Sequence, residues 1–131
     1  MKISRILVID DEDDIRGLIQ TCLELVGGWQ VVTASSGAEG LIKAETEQPD
    51  AILLDMMMPE IDGLATLQKL QSNQLTKHIA VILLTAKGRA IAQSQLAQLN
   101  VKGIISKPFK PLDLANQITA LLDKTHLEPN R

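Results

Sequence analysis

The sequence predicts an α/β fold: a doubly wound sheet of five parallel strands with helices on both faces. Three observations carry this. Short aliphatic runs alternate with longer stretches of helical period along the chain. The runs Ile6–Ile9, Ala51–Leu54 and Ile79–Leu84 are apolar throughout, as strands are when both sheet faces are covered. Regular βα alternation with right-handed crossovers then favours a doubly wound parallel sheet.

The elements follow in order. Ile6–Ile9 is the first strand and stops at Asp10. Ile15, Leu18, Ile19, Cys22, Leu23 and Val26 recur at helical spacing and predict a first helix. Gly27-Gly28 ends it. Residues 29–34 read as a second strand. Ser36-Gly37-Ala38-Glu39 has the spacing of a capping box and opens a second helix carrying Leu41 and Ile42. Pro49-Asp50 breaks the chain before the third strand, which ends at Asp55. Asp62 can cap a third helix with Leu64, Leu67 and Leu70 inward. The fourth strand ends at Thr85. A weaker helical pattern holding Ile91, Leu96 and Leu99 follows. Gly103–Ile105 is a short fifth strand before Ser106 and Lys107. Pro111 suits the first turn of a last helix, with Ala115, Ile118, Leu121 and Leu122 on its inner face. Residues 1–124 are expected to form one domain, with 125–131 a short tail.

The bulk properties narrow the function. A chain of 131 residues can bury one sizeable core. Aromatics make up only 2% of it, so the core must be aliphatic. A net charge of −3 gives no reason to expect direct nucleic-acid binding, but leaves room for an acidic domain that controls a DNA-binding partner. Cys22 is the sole cysteine and cannot form an internal disulfide, which fits a reducing compartment. No apolar stretch reaches membrane-spanning length. A cytoplasmic location without membrane insertion is expected. Cys22 reads as a core residue, and the isolated His78 and His126 as surface residues.

The chemistry gathers where strands end. The first ends in Asp10-Asp11-Glu12-Asp13-Asp14, the third in Asp55, the fourth in Thr85 and the fifth in Lys107. A doubly wound sheet brings these to one edge. Crowded carboxylates repel and hold protons unless a cation joins them. All-oxygen ligands suit Mg²⁺. A lysine binds phosphate as readily as it balances charge, and a carboxylate can itself accept a phosphoryl group. Metal, lysine, hydroxyl and carboxylate together are the parts phosphoryl transfer needs. Asp13 and Asp14 read more simply as acids at a helix N-terminus.

Asp10-Asp11, the stretch Ile52-Leu53-Leu54-Asp55-Met56-Met57-Met58-Pro59, then Leu84-Thr85-Ala86, then Lys107-Pro108-Phe109 resemble the receiver domain of two-component response regulators. The resemblance covers roughly residues 4–123 and is closest to single-domain chemotaxis regulators. It implies a flavodoxin-like fold with strand order 2-1-3-4-5. It also implies that Asp55 accepts a phosphoryl group from a histidine kinase or a histidine phosphotransfer protein. Asp11 and Asp55 would ligate Mg²⁺ through their side chains, Met57 through its backbone carbonyl, and Asp10 through water. Thr85 would hydrogen-bond the phosphoryl oxygens, Lys107 would pair with them, and Ala86 would leave them room. The Lys107-Pro108 bond is expected to be cis. The fourth helix, fifth strand and fifth helix would form the face for an unidentified output protein or a weak homodimer; otherwise the chain is a monomer. Here that face carries Gln93, Gln95, Gln98 and Asn116. Relaying the phosphoryl group onward is the other use of such a domain.

Some positions depart from the family pattern or tune it. Ile104 stands where receivers often carry an aromatic that swings with the threonine, so the readout is expected to rely on residues 85–87 and the fourth helix. Met57 and Lys87 offer no carboxylate or amide to orient water, which implies slow self-dephosphorylation. Two other classes fit the fold. An aspartyl-phosphate hydrolase usually has a second aspartate where Met57 stands. A flavin- or nucleotide-binding module needs a Gly/Ser/Thr-rich loop after the first strand, where the run from Asp10 to Asp14 would repel phosphate.

Overall fold

The computed structural model describes residues 3–57, 63–86 and 99–127. Strands β1 (Arg5–Ile9), β2 (Gln30–Ala34), β3 (Ala51–Asp55), β4 (Ala80–Ala86) and β5 (Gly103–Lys107) form one sheet in the order β2-β1-β3-β4-β5. All four pairings are parallel. The helices are α1 (Asp13–Cys22), α2 (Gly37–Glu47), α3 (Gly63–Ser72) and the C-terminal α4 (Leu114–Leu127). The helix expected between the fourth and fifth strands falls on residues outside the described ones, apart from Leu99. So do Met58, Pro59, Asp62 and Lys87.

Strand side chains alternate between two apolar layers. Ile6, Val8, Leu53, Ile82, Leu84 and Ile105 pack with Ile19, Leu23, Ile118 and Leu122 on the α1/α4 side. Leu7, Ile9, Ile52, Leu54, Val81 and Leu83 pack with Ala44, Leu67 and Leu70 on the other. This two-sided burial is why β1 and β3 are apolar without alternation. It leaves Asp10 and Asp55 rigidly placed at adjacent strand ends, because Ile9 and Leu54 are register partners.

Several helical faces differ from the sequence expectation. Leu18 and Val26 are exposed, while Ile19, Cys22 and Leu23 are buried. The chain leaves α1 through a π turn, Leu23–Gly27. A π turn rotates less per residue than an α-helix, so Val26 lags behind the apolar stripe. Gly28 then caps it in the left-handed region, at φ 71°. In α3 the inner face is Gly63, Thr66, Leu67 and Leu70, which turns Leu64 outward. In α2 the small residues Gly37, Gly40 and Ala44 face the sheet, and Ile42 is exposed. The cap of α2 is extended by one residue. Glu39 N–H donates to Ser36 Oγ at 3.1 Å. The Glu39 carboxylate accepts from the Ser35 amide at 2.7 Å and hydroxyl at 2.9 Å. Those bonds, with help from Lys43, hold its carboxyl down at about 2. The last helix buries Leu114, Ala115, Ile118 and Leu122. Its entry is a 3-10 turn with Pro111 first.

Gly63 marks the tightest packing near the strand ends. A Cβ there would lie 2.5 Å from Met56 Cα and 2.8 Å from the Asp55 carbonyl oxygen. Gly17, in the exposed middle of α1, has open space around it. Gly63→Ala is therefore expected to destabilise the protein by about 1–3 kcal/mol through backbone displacement. Gly17→Ala should stabilise it by about 0.5–1 kcal/mol. Urea unfolding of the two variants checks both signs.

Candidate functional site

The strand ends place Asp10, Asp55, Thr85 and Lys107 along one edge. Asp55 pairs with Leu84, Thr85 with Ser106, and Ala86 with Lys107. Asp10 is fully buried, Asp55 is 1% exposed and Thr85 is buried. Asp11 is half-buried beside them.

The two buried carboxylates are held in the same way. Asp10 Oδ1 accepts from the Glu12 amide at 2.9 Å, and Asp55 Oδ1 from the Met57 amide at 3.0 Å. Each is a turn closed by an aspartate on the backbone two residues ahead. The other oxygen of each, Oδ2, is buried with no hydrogen-bond partner. Both face the Lys107 ammonium, at 3.7 Å from Asp10 and 3.4 Å from Asp55. Glu12 Oε1 lies 3.4 Å from the same nitrogen. The acidic loop is pinned from behind by Arg16. Its guanidinium donates to the Asp10 carbonyl at 2.8 Å and to Asp13 Oδ1 at 2.6 Å.

One ammonium facing two buried carboxylates leaves negative charge in excess. Burial, with the nearby Asp55 charge, pushes the Asp10 carboxyl up to about 6, against the lowering effects of the Glu12 amide and Lys107. Burial works against the Lys107 charge, but Asp10, Asp55 and Glu12 outweigh it and raise its pKa. Oxygens of Asp10, Asp11 and Asp55 all lie within 4.8 Å of one another. Two orphaned buried oxygens in an all-carboxylate set are what a hard divalent cation would satisfy. The residues present fit such an ion.

The expected site residues thus converge: Asp10, Asp11, Asp55, Thr85 and Lys107, with Met57 beside Asp55. Ala86 reaches the same edge by register. The Lys107-Pro108 bond is cis. Met56 packs on the core, and Met57 is exposed at 41%. Two features were not anticipated. Glu12 had been merged into an acidic run. An open apolar hollow of about 330 Å³ adjoins Lys107, lined by Ile15, Leu18, Pro108 and Phe109. Its signal was Leu18, whose place in the helical stripe suggested core.

A parallel sheet wound 2-1-3-4-5 with buried carboxylates facing a lysine at its strand ends is an arrangement suited to handling a phosphoryl group. The family model described as the response regulator receiver domain matches residues 6–119. This chain belongs to that family. It is 37% identical over 123 residues to the alkaline phosphatase synthesis transcriptional regulatory protein PhoP of Bacillus subtilis, covering 94% of this chain and 50% of that protein. The chain spans about half the length of the curated relatives it matches. Among solved structures it resembles a receiver domain protein of Clostridium thermocellum, with TM-score 0.78, 34% identity, and coverage of 95% and 98% of the two chains. It also resembles a CheY-like receiver of Methanospirillum hungatei, with TM-score 0.80, 30% identity, and coverage of 96% and 98%.

The raised Asp10 pKa has a stability consequence. Without divalent cation, the native state binds a proton at Asp10 that the unfolded chain has lost above pH 3.8. Stability contributed by Asp10 is therefore full at low pH and falls as pH rises toward 6. The loss is on the order of 1–3 kcal/mol. Asp10→Asn should remove this slope and be the more stable protein at pH 7 in EDTA. Adding Mg²⁺ should narrow the gap. Denaturation curves at pH 4.5, 6 and 7.5 measure it.

Proposed function

We propose that this receiver accepts a phosphoryl group on Asp55 from a phosphohistidine of a histidine kinase or phosphotransfer protein. The observation that carries the reading is the Asp55 carboxylate itself. It is buried, with one oxygen fixed by the Met57 amide and the other unpartnered, facing Lys107. A fixed nucleophile with an unpartnered oxygen suits in-line attack on phosphorus. The new bond is P–O to Asp55. The bond that breaks is P–N, and its electron pair returns to the donor imidazole. The product is an acyl phosphate.

Lys107 balances charge on the transferred oxygens, Thr85 hydrogen-bonds them, and Ala86 leaves them room. Mg²⁺, held by Asp11, Asp55, the Met57 carbonyl and Asp10 through water, would neutralise the charge that builds up on the phosphoryl group. Whatever carries the donor histidine must cover this edge. The apolar hollow at Ile15, Leu18, Pro108 and Phe109 is the surface it would rest on. Phosphorylation would then switch the face made by β5, α4 and the helix expected from the sequence before β5, either for an output protein or for onward relay. We place this receiver unit at residues 1–124, acting in the cytoplasm as a monomer or weak dimer, without direct nucleic-acid contact. The proposal also includes self-promoted phosphorylation and slow self-dephosphorylation. Among the described residues no helix is long and apolar enough to cross a membrane.

Incubation with acetyl phosphate should label the protein in Mg²⁺ and not in EDTA, read by intact mass. Asp55→Asn should abolish the label, and Lys107→Ala should cut it by ~10-fold or more. Retention of label in Asp55→Asn would overturn the reading. The lifetime has its own test. Met57→Asn combined with Lys87→Glu, which would help to orient an attacking water, should speed decay of the label by ~10-fold or more. An unchanged decay rate would show that these positions do not control it.

A further inference from the structure

We propose that Glu12 is a positioning residue that competes with the incoming phosphoryl group for Lys107 and so restrains phosphorylation of the resting site. The proposal rests on the reading of Asp55 as phosphoacceptor. Glu12 sits at the N-cap of α1, where a short polar side chain ordinarily accepts from first-turn amides. Its side chain caps nothing. Its carboxylate turns instead to the end of β5, where Glu12 Oε1 accepts a hydrogen bond from Lys107 Nζ at 3.4 Å, 95 positions away in sequence. The ammonium lies as near to Asp55 Oδ2, at 3.4 Å, and 3.7 Å from Asp10 Oδ2. Neither of those oxygens has a hydrogen-bond partner. The resting ammonium is thus divided between the outer carboxylate, whose side chain is 57% exposed, and the two buried ones.

This arrangement has a direction. For Lys107 to serve a phosphoryl group on Asp55, its ammonium must point inward. The Glu12 bond belongs to the resting state and is surrendered or shared on transfer. A contact stronger in the ground state than in the transition state slows the step. Glu12 also holds Asp10 through its own amide, so the same residue fixes one inner carboxylate with its backbone and draws off the shared cation with its side chain. An exposed pair is weak and screened by salt, so the effect is a modest one placed on a reacting group.

The experiment compares phosphoramidate labelling rates in Mg²⁺ for wild type, E12Q and D13N, each also made with D55N. D13N removes one charge from the same loop, but Asp13 pairs with Arg16 and leaves Lys107 alone. E12Q is expected to label about two- to five-fold faster, the range an exposed ion pair supports. D13N is expected to label at the wild-type rate. The Lys107 ¹⁵Nζ resonance of the donor-free protein should move in E12Q and stay in D13N. Equal acceleration in both variants would reduce the effect to repulsion of the donor anion and overturn the proposal. So would an unchanged E12Q rate or an unmoved resonance, while D55N remains unlabelled. Label persisting in D55N, or no label in any chain, would instead overturn the Asp55 reading, and the proposal with it.

Discussion

The pair of carboxylates at Asp10 and Asp55, buried side by side and facing one ammonium, is the constraint that shapes the rest of the molecule. Two anions taken out of water repel strongly, and a single lysine offsets only part of that. The fold can hold them there because β1 and β3 are buried on both faces and pair along their length. Their ends have little freedom to splay. The residual imbalance is carried as a raised Asp10 pKa and as two oxygens without hydrogen-bond partners. A cation or phosphoryl group bound at the strand ends would return the stability given up there.

How the carboxylates are oriented follows from backbone, not from side-chain partners. Each aspartate closes a turn on the amide two residues ahead. The oxygens that remain face the Lys107 ammonium and have no hydrogen-bond partner among the described residues. Arg16 anchors the first loop from its outer side. Behind the third strand, Gly63 lets α3 approach the Asp55–Met56 backbone closely. A displacement of that backbone would press on α3 directly.

What could be read in the sequence follows the strength of each physical signal. Strand runs buried on both faces made the parallel sheet legible, and with it the convergence of Asp10, Asp55, Thr85 and Lys107, while the strand order came from the family resemblance. Helical faces were less so. Leu18, Leu64 and Val26 carry the right residue type at nearly the right spacing. Yet a π turn at Leu23–Gly27 shifts Val26, small inner residues at Gly63 and Thr66 turn Leu64 outward, and Leu18, ahead of the π turn, lies off the face that buries Ile19 and Cys22. None of these has a pattern that periodicity can detect. Glu12 was hidden for a different reason. Acid at a helix N-terminus is favoured by the macrodipole, which conceals any acid committed elsewhere. Only the contact with Lys107, from the other end of the chain, sets it apart from Asp13 and Asp14.

Ile104 bears on how a change at this edge could spread. It packs, half-buried, with Leu83, Leu99 and Val101 on the layer away from α1, and an aliphatic side chain has no ring to swing between two positions. The hydroxyl and the ammonium of the site, however, sit on strands that are hydrogen-bonded to each other. Thr85 is the register partner of Ser106, and Ala86 of Lys107. A pull on Lys107 toward a phosphoryl group and a pull on Thr85 therefore act on neighbouring rungs of one β4–β5 ladder. The ladder continues down to Leu83 opposite Ile104 and Ile82 opposite Gly103. Below it the Lys102 amide donates to the Val81 carbonyl at 2.8 Å. The chain leading into β5 is thus tied by backbone hydrogen bonds to the strand that carries Thr85. Coupling through a paired backbone needs no rotating aromatic, because displacement of one strand end is shared by the other through bonds that are already made.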